Sequence, residues 1–373
     1  MIYLDHAATS LPRWPEAVQG ASAAANWPTP GRGHHHLQAA AAEQVEGARR
    51  SVRELVGFGV VCFAAGATAA LNQALLGLTP SPRLIGIDPL AHNATRRPIA
   101  CLQRKGVRCF VLPHHAGGRI DLARLRSEWP AETDLLAVTH GSNVTGLVQP
   151  VAEVVEIAHQ KGAKVVVDCA QTAGLLSPLD GHVGGADAVA FSAHKGLRGL
   201  PGCGALVLRP DLDLEPLLSG GTGHDAETDA MPAEYPARLE AGTPNLAGIV
   251  AMGEAARRTL AHPWPWRELA GHLREALRGA GVALVGEGTL PIVSFVIEGL
   301  PAQGVEELLD RVYDIVVRSG LHCAPQAHAV MGSLASGTVR VSGGSATTAE
   351  EVAALTRAVC HVVRYQRHGN QVI

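Results

Sequence analysis

The sequence predicts an α/β fold: a mainly parallel sheet covered on both faces by helices, followed by a smaller α+β unit. Three observations predict it. Short β-branched or apolar runs alternate with segments of 3.6-residue periodicity from residue 60 to residue 208, the order that builds a parallel sheet through helical crossovers. Several of these runs end on polar or charged residues, as strands do when ligands bind beyond their carboxyl ends. After Pro263-Trp-Pro265 the pattern changes to helices and strands without strict alternation.

Composition bounds the rest. At 373 residues, 47% hydrophobic and 17% charged, the chain is globular and long enough for two domains. We expect residues 15–255 to form the large α/β domain and residues 1–14 with 256–373 the small one, the boundary crossing near 250–265. A net charge of −3 without a basic run gives no electrostatic reason for nucleic acid or an anionic membrane as partner. Met1-Ile-Tyr-Leu-Asp5 lacks the basic and apolar regions of a signal peptide, and no window reaches transmembrane length free of charges, so the expectation is a cytoplasmic protein without a membrane partner. Seven cysteines (62, 101, 109, 169, 203, 323, 360) are odd in number, scattered, and free of Cys-x-x-Cys spacing. Reduced thiols are expected, with no disulfide and no structural zinc.

Met1 to Thr9 is expected to lie extended against the body without forming an element. A helix follows from Pro15 to Asn26, broken by Pro28 and Pro30. His34, His35 and His36 suggest a metal tract, but adjacent residues share no face and no nearby carboxylate completes a site. We therefore expect no metal, and place His35 at a cavity mouth as a substrate contact. Residues 37–58 form a long helix with Glu43, Glu46, Arg49, Arg50 and Arg53 on its polar side. Val60–Phe63 is a short strand, and Gly66-Ala67-Thr68 opens the helix Ala69–Leu78. Such a small-residue turn at a helix N-terminus suits a phosphate, as most βα turns do.

Strands at 84–87, 107–112, 135–139, 165–167, 187–191 and 204–208 alternate with helices near 91–104, 121–128 and 150–161. Residues 211–245 are irregular, and a loop of that length is usually functional or at an interface. An Ala-rich helix then runs from Asn245 toward His262. Beyond it come helix 266–279, strands 282–285 and 292–297, helix 301–311, strand 313–318, a loop with Cys323, strand 338–342 and helix 349–365.

Two strand ends stand out. Lys164-Val-Val-Val-Asp168 delivers a carboxylate, and Ala186–Phe191 leads into Ser192-Ala-His194-Lys195 and delivers an amine. Facing one cavity, the pair suits pyridoxal phosphate, the amine holding the cofactor covalently and the acid keeping its pyridine nitrogen protonated. Opposite unit charges about 4 Å apart attract by roughly 4 kcal/mol at an effective dielectric near 20, which favours pyridinium strongly. The same residues could serve as a turn cap and a surface cation, and other residues must decide.

Those others are Tyr3-Leu-Asp-His-Ala-Ala-Thr9, Gly66-Ala-Thr-Ala-Ala-Leu-Asn72, Ser142-Asn143-Val-Thr-Gly146, Val167-Asp168-Cys-Ala-Gln171, Ser192-Ala-His-Lys195, Leu239-Glu-Ala-Gly-Thr-Pro-Asn245, Arg318-Ser-Gly-Leu-His-Cys323 and Gly337-Thr-Val-Arg340. In this order they resemble the class V aminotransferase superfamily of fold-type I enzymes, and within it the cysteine desulfurase and selenocysteine lyase group. The resemblance covers nearly the whole chain and implies a mainly parallel, seven-stranded-type sheet domain. It implies Lys195 as the cofactor lysine, Asp168 as the partner of the pyridine nitrogen, and Gln171 and Asn143 as contacts to the phenolate oxygen and substrate. His92 would stack on the ring, while Ala67, Thr68, Ser192 and His194 would surround the phosphate. Thr243 would reach that phosphate from a neighbouring subunit, making the protein a homodimer, and Arg340 would grip the substrate α-carboxylate through a two-point contact. Taken singly, His92, Thr68 and Ser192 also read as helix caps and Arg340 as a surface ion pair.

Cys323 selects the reaction. Desulfuration needs a soft nucleophile that takes the substrate's sulfur as a persulfide, and Arg318 and His322 are expected to lend it positive neighbours. The resemblance thus implies conversion of L-cysteine to alanine, with Lys195 removing the α-proton, Cys323 taking the sulfur, and a protein or small thiol accepting it. Selenocysteine lysis, transamination and epimerisation on the same scaffold are the alternatives, as is a non-catalytic scaffold. Ala67, Ala69 and Leu321 depart from the family pattern, which leaves phosphate contacts and proton relays near the thiol open.

Overall fold

The computed structural model describes residues 1–30, 35–223 and 227–368. In chain order it begins with β1 (Ile2–Tyr3), α1 (Pro15–Ala24), α2 (His36–Val56), β2 (Val60–Ala64), α3 (Ala67–Leu76) and β3 (Leu84–Ile87). Next come α4 (Asn93–Gln103), β4 (Arg108–Val111), α5 (Leu122–Ser127), β5 (Thr133–Thr139), α6 (Val151–Gln160), β6 (Lys164–Asp168), α7 (Asp180–Val183), β7 (Ala188–Ser192) and β8 (Gly204–Leu208). The remainder comprises α8 (Leu246–Ala261), α9 (Trp266–Gly279), β9 (Ala283–Val285), β10 (Ile292–Val296), α10 (Ala302–Tyr313), β11 (Ile315–Val316), β12 (Arg318–Gly320), α11 (Pro325–Val330), β13 (Thr338–Ser342) and α12 (Ala349–His368).

The predicted strands between residues 60 and 208 form one seven-stranded sheet of order β2-β8-β7-β6-β5-β3-β4. All neighbours run parallel except β8, which is antiparallel to both β7 and β2. Alternation along β6 shows how the layers are divided. Val165 and Val167 enter the cluster formed with α1, α2, α6 and α8, whereas Val166 enters the cluster with α3 and α4. Asp168, one residue on, therefore shares the face of Val166 and points toward the α3 and α4 layer. The N-terminus of α3 comes close to the same strand ends because Gly66 takes φ 148° and because a Cβ at Gly204 would meet Gly66 Cα at 2.7 Å.

A second, four-stranded sheet of order β12-β13-β10-β9 packs against α9, α10 and α12 around Leu273, Phe295, Leu309, Val339, Val341 and Leu355. Leu4, fully buried, belongs to the same cluster. That burial corrects the expectation for the N-terminal residues: Ile2 and Tyr3 pair in parallel with Ile315 and Val316. The single strand expected at 313–318 is two. Asp314 turns left-handed at φ 55°, β11 then joins β1, and β12 joins β13. The short helices α7 and α11 carry too little periodicity to read from sequence, and each has only four to six residues. Among the described residues, 211–245 contains no helix or strand. No helix among them is long and apolar enough to cross a membrane.

Candidate functional site

Register carries the two strand ends to one place. Asp168 pairs with Ala190 and Thr139 across the sheet, and Lys195 follows β7 by three residues. Asp168, Lys195, Ala67, Thr68, His92, Asn143, Gln171, Ser192 and His194 all line one cavity with about 490 Å³ of atom-free space, open to solvent. Nine of the residues singled out from sequence thus share one wall. Thr139 and Gly141 line it as well, and they were not foreseen. The signal for Thr139 is the same strand-end position that picked out Asp168.

The electrostatics follow from burial. Lys195 is half-buried, and desolvation lowers its pKa, opposed by Asp168 and reinforced by Arg340 and Arg318. A lysine held below its ordinary range offers a neutral amine more readily, as a covalent cofactor anchor or base requires. Asp168 is buried, and its Oδ1 accepts from Ala170 N–H at 2.9 Å. His92 caps α4, its Nδ1 accepting from Ala94 N–H at 3.0 Å. The plain reading as a cap and the placement in the cavity therefore hold together. Burial lowers the His92 pKa, so the ring is neutral at pH 7, and the cap leaves its proton on Nε2.

In the same cavity wall, the first turn of α3, with Ala67 and Thr68, presents backbone N–H groups. One is used: Ala67 N–H donates to Ser192 Oγ at 2.8 Å. His194 is neutral, burial bringing its pKa to about 4, and its Nδ1 meets Thr9 Oγ1 at 3.1 Å. Arg13 clamps the same turn, donating to His194 O at 2.8 Å and to Thr9 Oγ1 at 2.6 Å. An acid, a lysine, a helix N-terminus with hydroxyls, and the hydroxyl of Thr139, buried and partnerless among the described residues, all in one cavity, suit a flat cofactor with an anionic tail. Among the described residues no cluster of three or more His, Cys, Asp or Glu could hold a metal. His34, part of the histidine tract considered for metal, lies outside the described residues.

Arg340 departs from the surface ion pair that a lone arginine suggests. It is 1% exposed, donates to Asp5 Oδ1 at 2.6 Å and to Asn143 O at 3.1 Å, and keeps a partnerless Nε. Asp5 was quoted in a motif but given no role, since only the fold brings residue 5 to residue 340. Asn143 spends its amide on His322 O at 2.7 Å while lining the cavity. Gln171 likewise donates to Ala7 O at 3.0 Å.

Of the seven cysteines only Cys323 is exposed, whereas burial pushes Cys62, Cys169 and Cys203 up and leaves them inert thiols. His322 and Cys323 are both left-handed, at φ 50° and 56°, which is costly for residues with a Cβ and is tolerated where surroundings enforce it. Three bonds do so: Asn93 N–H donates to Cys323 O at 2.8 Å, Asn143 Nδ2 to His322 O at 2.7 Å, and Ala324 N–H to Leu321 O at 2.8 Å. Cys323 lies within electrostatic range of Lys195 and Arg340. The expectation that His322 lends positive charge fails. Burial, with Arg340 close by, brings its pKa to about 2, and its Nε2 bonds Thr338 Oγ1 at 2.9 Å.

One further expectation needs correction. His35 is exposed and caps α2, its Nδ1 turned back to Gln38 N–H at 3.2 Å, so it is no part of the cavity wall. Thr243, expected to act on the site of a neighbouring subunit, is exposed in this chain and lines a separate, largely apolar hollow with Phe63, Leu206, Leu218 and Pro244.

The profile of the class-V aminotransferase family matches residues 2–355. A probable cysteine desulfurase of Methanothermobacter thermautotrophicus is 32% identical over 339 residues, 86% of this chain and 84% of that protein. One from Vibrio cholerae is 31% identical over 96% of this chain and 93% of that protein. Among solved structures, the apo cysteine desulfurase of Thermococcus onnurineus superposes with a TM-score of 0.90 at 30% identity, covering 97% of this chain and 94% of that one.

Proposed function

The chain belongs to the class-V aminotransferase family, and from that premise we propose that it is a cysteine desulfurase, which converts L-cysteine to L-alanine and takes the released sulfur on Cys323 as a persulfide. Pyridoxal phosphate, the cofactor of this family, supplies the electron sink that makes the substrate α-proton removable. Asp168 would hold the pyridine nitrogen protonated, Lys195 would anchor the aldehyde carbon, His92 would cover the ring, and the α3 N-terminus with Thr68, Ser192 and His194 would receive the phosphate. Asn143 and Gln171 orient the ring edge. Arg340, already steadied by Asp5 and Asn143 O, offers its remaining N–H groups to the substrate carboxylate.

The Lys195 amine would take the substrate α-proton, as its lowered pKa suits. The Cys323 thiolate then attacks the substrate's sulfur: an S–S bond forms, the C–S bond breaks, and its electron pair stays on the carbon that becomes the alanine methyl. Cys323 is oxidised and the substrate carbon reduced, so no outside oxidant is needed. A thiol acceptor later removes the outer sulfur.

The same reading divides the chain into a large domain, residues 15–255, and a small one, 1–14 with 256–373, the small one carrying Cys323 and Arg340. Support comes from Leu4, whose burial among residues 273–363 ties the N-terminus to the second sheet. It also makes the protein a cytoplasmic homodimer in which Thr243 serves the neighbouring site. The single observation that carries the function is the convergence of Lys195 and Asp168 on one cavity, with Cys323 within electrostatic range of that lysine. Purified protein given L-cysteine and dithiothreitol should release alanine and sulfide in equal amounts. Undiminished alanine formation by Cys323→Ala sinks desulfuration, and a Lys195→Ala protein that keeps an absorbance band near roughly 420 nm sinks the cofactor assignment.

A further inference from the structure

Beside the Cys323 loop runs a groove between α4 and β4. Asn93, Arg96, Arg97, Cys109, Phe110 and Val111 are among its lining residues, and it holds about 700 Å³ of atom-free space, much of it open to solvent. Its one wall, β4, is the last strand of the large sheet, so the outer N–H and C=O groups of Arg108–Val111 face no other strand among the described residues. The only charged residues in the lining are Arg96 and Arg97, and neither forms an ion pair or side-chain hydrogen bond among the described residues. Asn93, in the groove lining, holds the carbonyl of Cys323 through its N–H at 2.8 Å. An open sheet edge and two arginines without ion-pair partners among the described residues are thus joined to the loop of the exposed Cys323.

We propose that this groove docks the sulfur acceptor, and that the acceptor is an acidic protein segment that lies extended along β4 and presents a cysteine to Cys323. The inference rests on Cys323 carrying the persulfide and adds the chemistry of the partner. Two guanidinium groups without an ion-pair partner among the described residues attract carboxylates and steer their approach. The free edge satisfies an extended backbone, as in strand addition. In the transfer, the acceptor thiolate attacks the outer sulfur, a new S–S bond forms on the acceptor, and Cys323 leaves as thiolate. One persulfide is exchanged for another without an external redox partner.

The probe is a synthetic glutamate-rich peptide with one cysteine, compared with its lysine-rich counterpart and with dithiothreitol. Wild-type protein preloaded with cysteine should pass sulfur to the glutamate peptide at least roughly tenfold faster than to the lysine peptide, and the preference should shrink as salt rises. The double substitution Arg96→Glu/Arg97→Glu should abolish the preference while leaving dithiothreitol-supported alanine formation within about twofold of wild type. Equal transfer to the two peptides by wild type overturns the proposal. So does a double variant that loses alanine formation with dithiothreitol or changes its oligomeric state on a sizing column, because the groove then serves the catalytic site or a second copy of this chain. Absence of alanine in wild type strikes at the desulfurase reading instead, so the two failures are distinguishable.

Discussion

The two sides of the cavity are built by opposite means. Asp168 and Lys195 sit at the ends of parallel strands buried on both faces, where a one-residue slip would exchange every side chain between the α2 and α3 layers. Burial of these strands fixes where both residues are delivered. Cys323 stands exposed on a left-handed turn of a shorter sheet, kept in place by bonds from Asn93 and Asn143 on the opposite side. The comparison teaches that, in the proposed reaction, the group that would anchor the cofactor is held by the core, whereas the group that would hand on sulfur is held by pins at the surface.

The largest expected effect tests whether the sides divide the labour. Lys195→Ala should lower alanine formation by roughly 10³-fold or more, about 4 kcal/mol, and remove the cofactor absorbance. Cys323→Ala should lower turnover comparably yet keep that absorbance. If the spectra of the two variants match, the division is wrong.

Burial on the core side should also leave a pH signature. Asp88, fully buried beneath the His92 turn, accepts from Leu90 N–H at 2.6 Å, and burial raises its pKa from 3.8 to about 7. An acid whose folded pKa is raised binds its proton more tightly when folded. The stability this contributes is complete below pH 4 and is lost as pH rises through 7, by roughly 4 kcal/mol in all. Urea midpoints measured between pH 5 and 9 should fall in wild type and stay flatter in Asp88→Asn. A slope shared by both proteins removes Asp88 as its source.

Where the sides meet, Arg340→Lys replaces a forked donor by a single point. KM for cysteine should rise about 10- to 50-fold, roughly 2 kcal/mol, with the absorbance unchanged. An unaltered KM would show that the carboxylate binds elsewhere.

The smallest effect isolates a pin. Asn93 is the first residue of α4, a position that tolerates proline, and His92 before it already has the extended φ −70° and ψ 157° that a following proline demands. Asn93→Pro therefore removes the N–H that holds Cys323 O with little cost to the helix. Persulfide formation, followed by alkylation and mass spectrometry in a single turnover, should slow five- to tenfold, about 1 kcal/mol. A rate equal to wild type means that the remaining two bonds suffice.

The sequence by itself determined the seven strands, their helices, and the delivery of Asp168 and Lys195, because strand and helix periods are local and parallel strands expose their carboxyl ends together. It also singled out Cys323 by the chemistry around it. Only the tertiary structure decided that Asp5 steadies Arg340 across 335 residues of chain, that His322 is neutral, that His35 turns back to cap its own helix, and that residues 2 and 3 form a strand. The physical reason is one of range. Pairing and desolvation depend on neighbours that folding brings together, and no local pattern encodes which distant residue will lie against a given charge.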